Sequence, residues 1–404
     1  MRLDIRPVSE DEFDALIVAD HRGFGIGPDP TGSVQTWARG ELDRTRVAFE
    51  GSNIVGVSRT YSFQLTLPGN VEVPAAAVSW VSVLPTHRRR GVLTQLLRAL
   101  HDDARDRDEP CAILTASEGG IYQRFGYGIA SWRLGLSADR ARIRFHTNVD
   151  EGSMELVTRA EAEVRLPAIY DQTRRLRAGM VSRPDFWWPQ VFWGLAEGHG
   201  KGFFVAVHRD ADGRDDGYAA YEIQGEWSAG LADRRLLVWD IQSTTSSARA
   251  ALWRYVFGVD LVATVAATNV PIDEPLKHLV TDPRRVRVDF INDGLWVAPL
   301  DAAGLLASRR YAADVQLVFE VHEPGGGRHV IALEACRDDV ACEPTTAKPH
   351  ITCSAATLGA ASLGGNRWTE LAAGGAVEAD DASSLVLADL AFSTTPAPAM
   401  VGYF

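Results

Sequence analysis

Long apolar runs are missing from this 404-residue chain. No stretch approaches the roughly 20 apolar residues that cross a bilayer as a helix, so no membrane association is expected. The first residues, MRLDIRPVSEDEFDAL, carry acidic side chains where an export signal needs an apolar stretch. A cytoplasmic protein is therefore expected. Cysteine is scarce: Cys111, Cys336, Cys342 and Cys353 fall at irregular spacings without a CxxC pair, and the ten histidines are scattered. Neither a disulfide framework nor a metal site is expected. An excess of basic charge is missing too. The net charge of −12 argues against nucleic acid as the main partner, which needs a basic footprint. It is compatible with a cationic substrate, although acidic charge also serves solubility.

What is present fits two or three domains. The first 150 residues alternate strands and helices. Val47–Phe49 and Ile54–Ser58 read as strands joined by a turn, and Ala76–Val83 as a strand covered on both faces. Gly91–Arg105 reads as a helix with Val92, Leu93, Leu96, Leu97 and Leu100 on one face, followed by a short buried strand at Cys111–Thr115. A second region, 151–293, has strand-like stretches at Phe203–His208 and Leu236–Ile241 and a helix at Ala248–Phe257. Its order of elements echoes the first region, as a divergent repeat would. From 294 to 404 the texture changes again, with a helix at Asp301–Ser308 and a hairpin across Gly325-Gly326-Gly327.

Two motifs carry chemistry. In the first, Val81-Ser82-Val83 leads through Arg88-Arg89-Arg90-Gly91 into Val92-Leu93-Thr94. A strand thus runs into a basic, glycine-containing turn that opens a helix. The free N–H groups of a helix start favour anions, and a glycine there lets a pyrophosphate approach the backbone. In the second, Ser117-Glu118-Gly119-Gly120-Ile121-Tyr122-Gln123-Arg124-Phe125-Gly126-Tyr127-Gly128 follows the next strand. A departing thiolate needs a proton, and a phenol can supply one because the two pKa values lie about 1.5 units apart. An aromatic core pair, Phe125 and Tyr127, is the competing reading.

The first motif resembles the acetyl-CoA signature of the GCN5-related N-acetyltransferase (GNAT) superfamily, with Leu93 where a small residue is usual. Both motifs together, with INDGLW, RRYAAD and LGGNRW in the last third, resemble the enhanced-intracellular-survival (Eis) family along the whole chain. The resemblance implies an α/β (α+β) architecture in three parts. These are a catalytic GNAT domain at 1–150, a degenerate GNAT-like domain at 151–293, and a sterol-carrier-protein-like domain at 294–404.

It further implies transfer of acetyl from acetyl-CoA to several amines of an aminoglycoside by a homohexamer, without a metal. Tyr127 is the implied general acid and the terminal carboxylate of Phe404 the implied general base. The implied CoA contacts are Val81, Ser82, Val83, Arg88, Arg89, Arg90, Gly91, Val92, Leu93, Thr94, Tyr122 and Gln123. Phe24, Asp29 and Trp37 stand on the acceptor side. Tyr403 replaces the acidic residue that precedes the terminal phenylalanine in several members, which weakens the aminoglycoside reading. Protein lysine or a biosynthetic amine is the alternative acceptor. A lipid carrier is a third reading, disfavoured because no extended apolar helix stands out near the C-terminus.

Overall fold

A computed structural model describes residues 3–27, 40–146, 152–198, 202–225, 227–228, 231–336, 339–402 and 404. Asp29 and Trp37, as well as Tyr403, lie outside the described residues. The chain divides into two compact units. One contains Met1–Ala130, Leu295–Ser393 and Phe404, the other Ser131–Gly294 and Thr394–Tyr403.

The first unit is built on β1 (Asp4–Arg6), β2 (Thr45–Glu50), β3 (Asn53–Leu67), β4 (Val71–Val83), β5 (Cys111–Leu114) and β6 (Gly128–Ile129). These form one sheet in the order β1-β2-β3-β4-β5, then Trp296–Pro299, then β6. Strand Trp296–Pro299 sits between β5 and β6 and pairs with both antiparallel. Most of the sheet is antiparallel, while β4 and β5 run parallel through the helix that connects them.

Two helices cover the sheet. Helix α1 (Phe13–Phe24) buries Phe13, Leu16 and Ile17 against Val47, Phe49 and Val57. Helix α2 (Val92–Asp106) lies on the other face, with Val92 and Leu96 on Ala48 and Val55, and Leu97 and Leu100 on Ala76 and Val78. No side chain caps the start of α2. A missing cap costs about 1 kcal/mol, whereas each buried leucine contributes about 2 kcal/mol. Apolar packing therefore holds α2 in place and leaves its first turn open.

The C-terminal part of this unit has a five-stranded sheet: Asp339–Pro344, Arg328–Cys336, Val315–His322, Ile351–Ser354 and Val377–Ala379. Helices 302–308, 355–362, 368–373 and 382–392 accompany it. Its core is filled by Phe319, Trp368 and Phe392, whose ring centroids lie 5.2–5.9 Å apart.

The second unit contains a seven-stranded sheet in the order 287–293, 132–139, 264–271, 235–243, 215–224, 203–209 and 153–157. Strands 235–243 and 264–271 are its parallel pair, with helix Ser246–Gly258 between them in sequence. This repeats the strand–helix–parallel-strand arrangement of β4, α2 and β5. Thr394–Tyr403 also belongs here. The Ala399 N–H donates to the Ala178 carbonyl (3.0 Å) and the Ala397 N–H to Asp273 (2.9 Å). Arg183, buried against the rings of Tyr170 and Trp187 and paired with Asp240, also reaches the Val401 carbonyl.

Among the described residues no helix is long and apolar enough to cross a membrane. Nor, among the described residues, is any group of three or more His, Cys, Asp or Glu placed to hold a metal ion.

Candidate active site

Parallel pairing of β4 with β5 covers only Ala75–Ala77 against Cys111–Ile113. Beyond it β4 continues to Val83, and the chain after β5 turns away through Ser117 and Glu118. The two strands part, and a cleft of about 690 Å³ opens between them. A bulge bends β4 at this level. Arg59 faces Ser79 and Val57 faces Ser82, so Trp80 and Val81 both stand opposite Ser58. Trp80 takes a left-handed φ of 54°, a conformation that costs a non-glycine residue about 1–2 kcal/mol. Packing against Arg59 and the neighbouring core holds it there. The bulge re-aims the strand's main-chain groups along the cleft wall.

The basic turn closes one end. Gly91 caps α2 with φ 79°, in the left-handed region. The N–H groups of the first turn therefore point at the cleft without a side-chain acceptor. Arg88, Arg89, Gly91, Val92, Leu93 and Thr94 line this end, and Val81, Ser82 and Val83 line the strand wall. Arg90 and Gln123, also expected at the cofactor, are exposed and outside the lining. Leu93 lines the cleft and also packs against the core of Ala76, Val78, Leu97 and Leu100. Phe24, expected on the acceptor side, lines the same cleft and is 48% exposed.

The two tyrosines of the second motif have separate fates. Tyr122 lines the cleft. Its hydroxyl has no hydrogen-bond partner among the described residues, and burial, then the charge of Glu118, raises its pKa. Tyr127, expected to be the proton donor, does not line the cleft. It is fully buried, and its hydroxyl shares a 2.8 Å hydrogen bond with Nε2 of His101. Burial pushes the His101 pKa down to about 4, with help from Arg105, so the imidazole is neutral. Burial likewise raises the Tyr127 phenol, with Tyr122 and Cys111 adding to it. The reason lies in the tight turn Gln123–Phe125. It turns Tyr122 to the cleft and lays the Tyr127 ring edge-on behind it, centroids 5.8 Å apart.

Phe404 lies against β3 and β4 at Phe63 and Ser79, close to where β4 and β5 part. Its ring meets Phe63 edge-on at 5.2 Å, and Ser79 Oγ donates to a main-chain oxygen of Phe404 (3.1 Å). Ser79 carried no signal in the sequence. Asp20 on α1 was equally silent, a polar residue in an amphipathic helix, yet it is buried and accepts a hydrogen bond from Ser82 Oγ (3.0 Å).

Comparison with known proteins shows the family. Residues 4–130 and 179–296 each match an acetyltransferase (GNAT) domain family, and residues 302–401 match the sterol carrier protein domain family. The chain is 35% identical to N-acetyltransferase Eis of Mycobacterium tuberculosis, over 96% of both chains. This chain belongs to the Eis N-acetyltransferase family. An uncharacterized N-acetyltransferase of Streptomyces coelicolor is 33% identical over 98% of both chains. The crystal structure of Eis1 from Mycobacterium abscessus has a TM-score of 0.88 and 34% identity, covering 99% of this chain and 100% of that one. The Eis architecture of two GNAT domains and a sterol-carrier-like domain is thus present here, and the chain is an acyltransferase.

Proposed function

We propose that this Eis-family enzyme moves the acetyl group of acetyl-CoA directly onto a primary amine of a small cationic acceptor, with aminoglycosides, at several positions, as the first candidates. The observation that carries the reading is the cleft itself. An open helix start, two arginines and a strand edge suit the pyrophosphate and pantetheine of CoA. The acetyl thioester then reaches the level where β4 and β5 part, with Tyr122 on one side.

In this reading Val81–Val83 bind the pantetheine arm as an added strand would, and Arg88, Arg89 and Gly91 hold the phosphates. The amine nitrogen attacks the thioester carbonyl, forming C–N and breaking C–S. The main-chain carboxylate of Phe404, oriented by Ser79, takes the proton of the amine. Tyr122 gives its proton to the CoA thiolate. We assign this step to Tyr122 in place of Tyr127 because Tyr122 borders the cleft with an uncommitted hydroxyl. An α-carboxylate is a weak base in water, so its work is to orient the ammonium and accept charge where water is excluded. Family resemblance supports a homohexameric, cytoplasmic enzyme.

The test has two arms. Release of CoA is followed with an aminoglycoside, an aliphatic primary amine and a lysine peptide. Turnover is expected to be fastest with the aminoglycoside, while faster turnover of the peptide transfers the reading to protein lysine. In the second arm, one or two residues are added after Phe404. Acetyl transfer should fall about 10²–10⁴-fold with acetyl-CoA binding intact. An extended enzyme of near-native rate removes Phe404 from the mechanism.

A further inference from the structure

Asp20 is the buried acid the mechanism above leaves unused. It is 8% exposed, on the last turns of α1. One carboxyl oxygen accepts from Ser82 Oγ at 3.0 Å. The other has no partner among the described residues. Buried carboxyl groups are ordinarily paired with a cation or several donors. This one has a single hydroxyl, and burial drives its pKa up to about 7 against the lowering effect of Ser82.

Its surroundings are tightly set. A Cβ placed on Gly23 would stand 2.6 Å from the Ser82 Cβ, so α1 is pressed onto β4 as closely as glycine allows. Arg88 Nη2 donates to the Gly23 carbonyl (3.1 Å), fastening the same helix turn to the phosphate end of the cleft. The other polar groups on this side are His21 of α1, Arg59 and Tyr61 of β3, and Ser79 with the Phe404 carboxylate. Arg59 is held over the rings of Tyr61 and Trp80. Tyr61, its phenol raised mainly by burial, also feels the charges of Arg59, Glu41 and Asp20.

Register places the two carboxylates. Arg59 and Ser79 are cross-strand partners, as are Val57 and Ser82. Residues 57 and 59 share one face of β3, so Ser79 and Ser82 share the α1 face of β4 across the bulge. Phe404 is bonded to the first serine and Asp20 to the second. Three strand positions separate them, on the order of 7–10 Å. Ser79 is nearer the point where β4 and β5 part, and Ser82 is nearer the phosphate turn.

We propose that Asp20 is a specificity-determining residue of the acceptor site, receiving a second ammonium group of the acceptor while the reacting amine lies at Phe404. The inference rests on the acetyl-transfer reading above and narrows it to amines with two cationic groups spaced by several bonds. The second ammonium supplies the partner that the buried carboxyl lacks.

The experiment compares a six-carbon α,ω-diamine with n-hexylamine as acceptors. Wild-type enzyme should show a KM for the diamine lower by about tenfold or more, the scale of one charge-assisted hydrogen bond. That preference should collapse as pH falls from about 8 to about 6, because Asp20 takes up a proton across this range. In Asp20→Asn, which keeps an oxygen for Ser82, the preference should be absent and insensitive to pH. Acetyl-CoA binding by calorimetry serves as its folding control. A diamine preference that is flat with pH in the wild type, or retained in Asp20→Asn, overturns the role of Asp20. Absence of CoA release with either amine overturns the acetyl-transfer reading instead. In that event calorimetric binding of the diamine to the CoA-loaded wild type and Asp20→Asn still decides the role of Asp20, equal binding counting against it.

Discussion

Tyr122 and Tyr127 lie five residues apart in one glycine-framed motif, and their hydroxyls meet different chemistry. Tyr122 borders the cleft, while the hydroxyl of Tyr127 is spent on His101. Tyr122→Phe should lower the rate of acetyl transfer about 10²–10⁴-fold with little change in acetyl-CoA affinity, since the ring is retained and only the proton is lost. Tyr127→Phe should instead cost about 1–3 kcal/mol of stability by leaving a buried imidazole without its partner, with a rate within about tenfold of wild type. Single-turnover rates and thermal melts of the two variants check this, and a reversed pattern returns the proton to Tyr127. Sequence spacing could not choose between them. The choice depends on how a three-residue turn aims two rings, a matter of tertiary packing. Asp20 was illegible for a related reason: a polar residue on an amphipathic helix is ordinarily solvated, and only the seating of α1 on Ser82 buries it.

At the scale of the element, the run from β4 through the basic turn into α2 was legible because each physical signal agreed. An apolar strand, arginines with a glycine, and an apolar stripe at helical spacing all pointed to one arrangement. The bulge at Trp80 left no such trace, since any strand residue can be forced into it by its neighbours. Gly91 offers a test of the helix start. Nothing lies within 4 Å of a Cβ built on it, but its φ of 79° is unfavourable for alanine. Gly91→Ala should therefore fold with a loss of about 1 kcal/mol. The new methyl group, however, stands where a pyrophosphate would approach the first-turn N–H groups, so acetyl-CoA affinity should fall about tenfold or more. Unchanged affinity by calorimetry would place the phosphates elsewhere on the cleft.

At the scale of the whole molecule, the repeat seen in the order of strands and helices extends to a parallel pair in each unit, but the second helix start is built differently. Ser246–Gly258 begins at Thr245, whose hydroxyl accepts from the Ala248 N–H (3.1 Å) and closes the turn that Gly91 leaves open in α2. The one arginine of its first turn, Arg249, is committed to Glu274 and to the Ile241 carbonyl. The cavity beside this turn is about 360 Å³, roughly half the first cleft, and Pro396 and Val401 form part of its wall. The sequence has no glycine at Thr244–Arg249. It could not show that Thr394–Tyr403 returns to this unit, because proline-rich apolar segments pack wherever a tertiary groove accepts them. A phosphate at this turn would have to displace a capping hydroxyl and separate Arg249 from a buried glutamate, each at a cost in free energy. Calorimetric titration should therefore yield one acetyl-CoA per chain. Removing the cap and the pair together, with Thr245→Gly and Glu274→Gln, should not create a second site, because the cavity remains too small for the cofactor. Two sites per wild-type chain would mean that the second unit has kept the chemistry of the first.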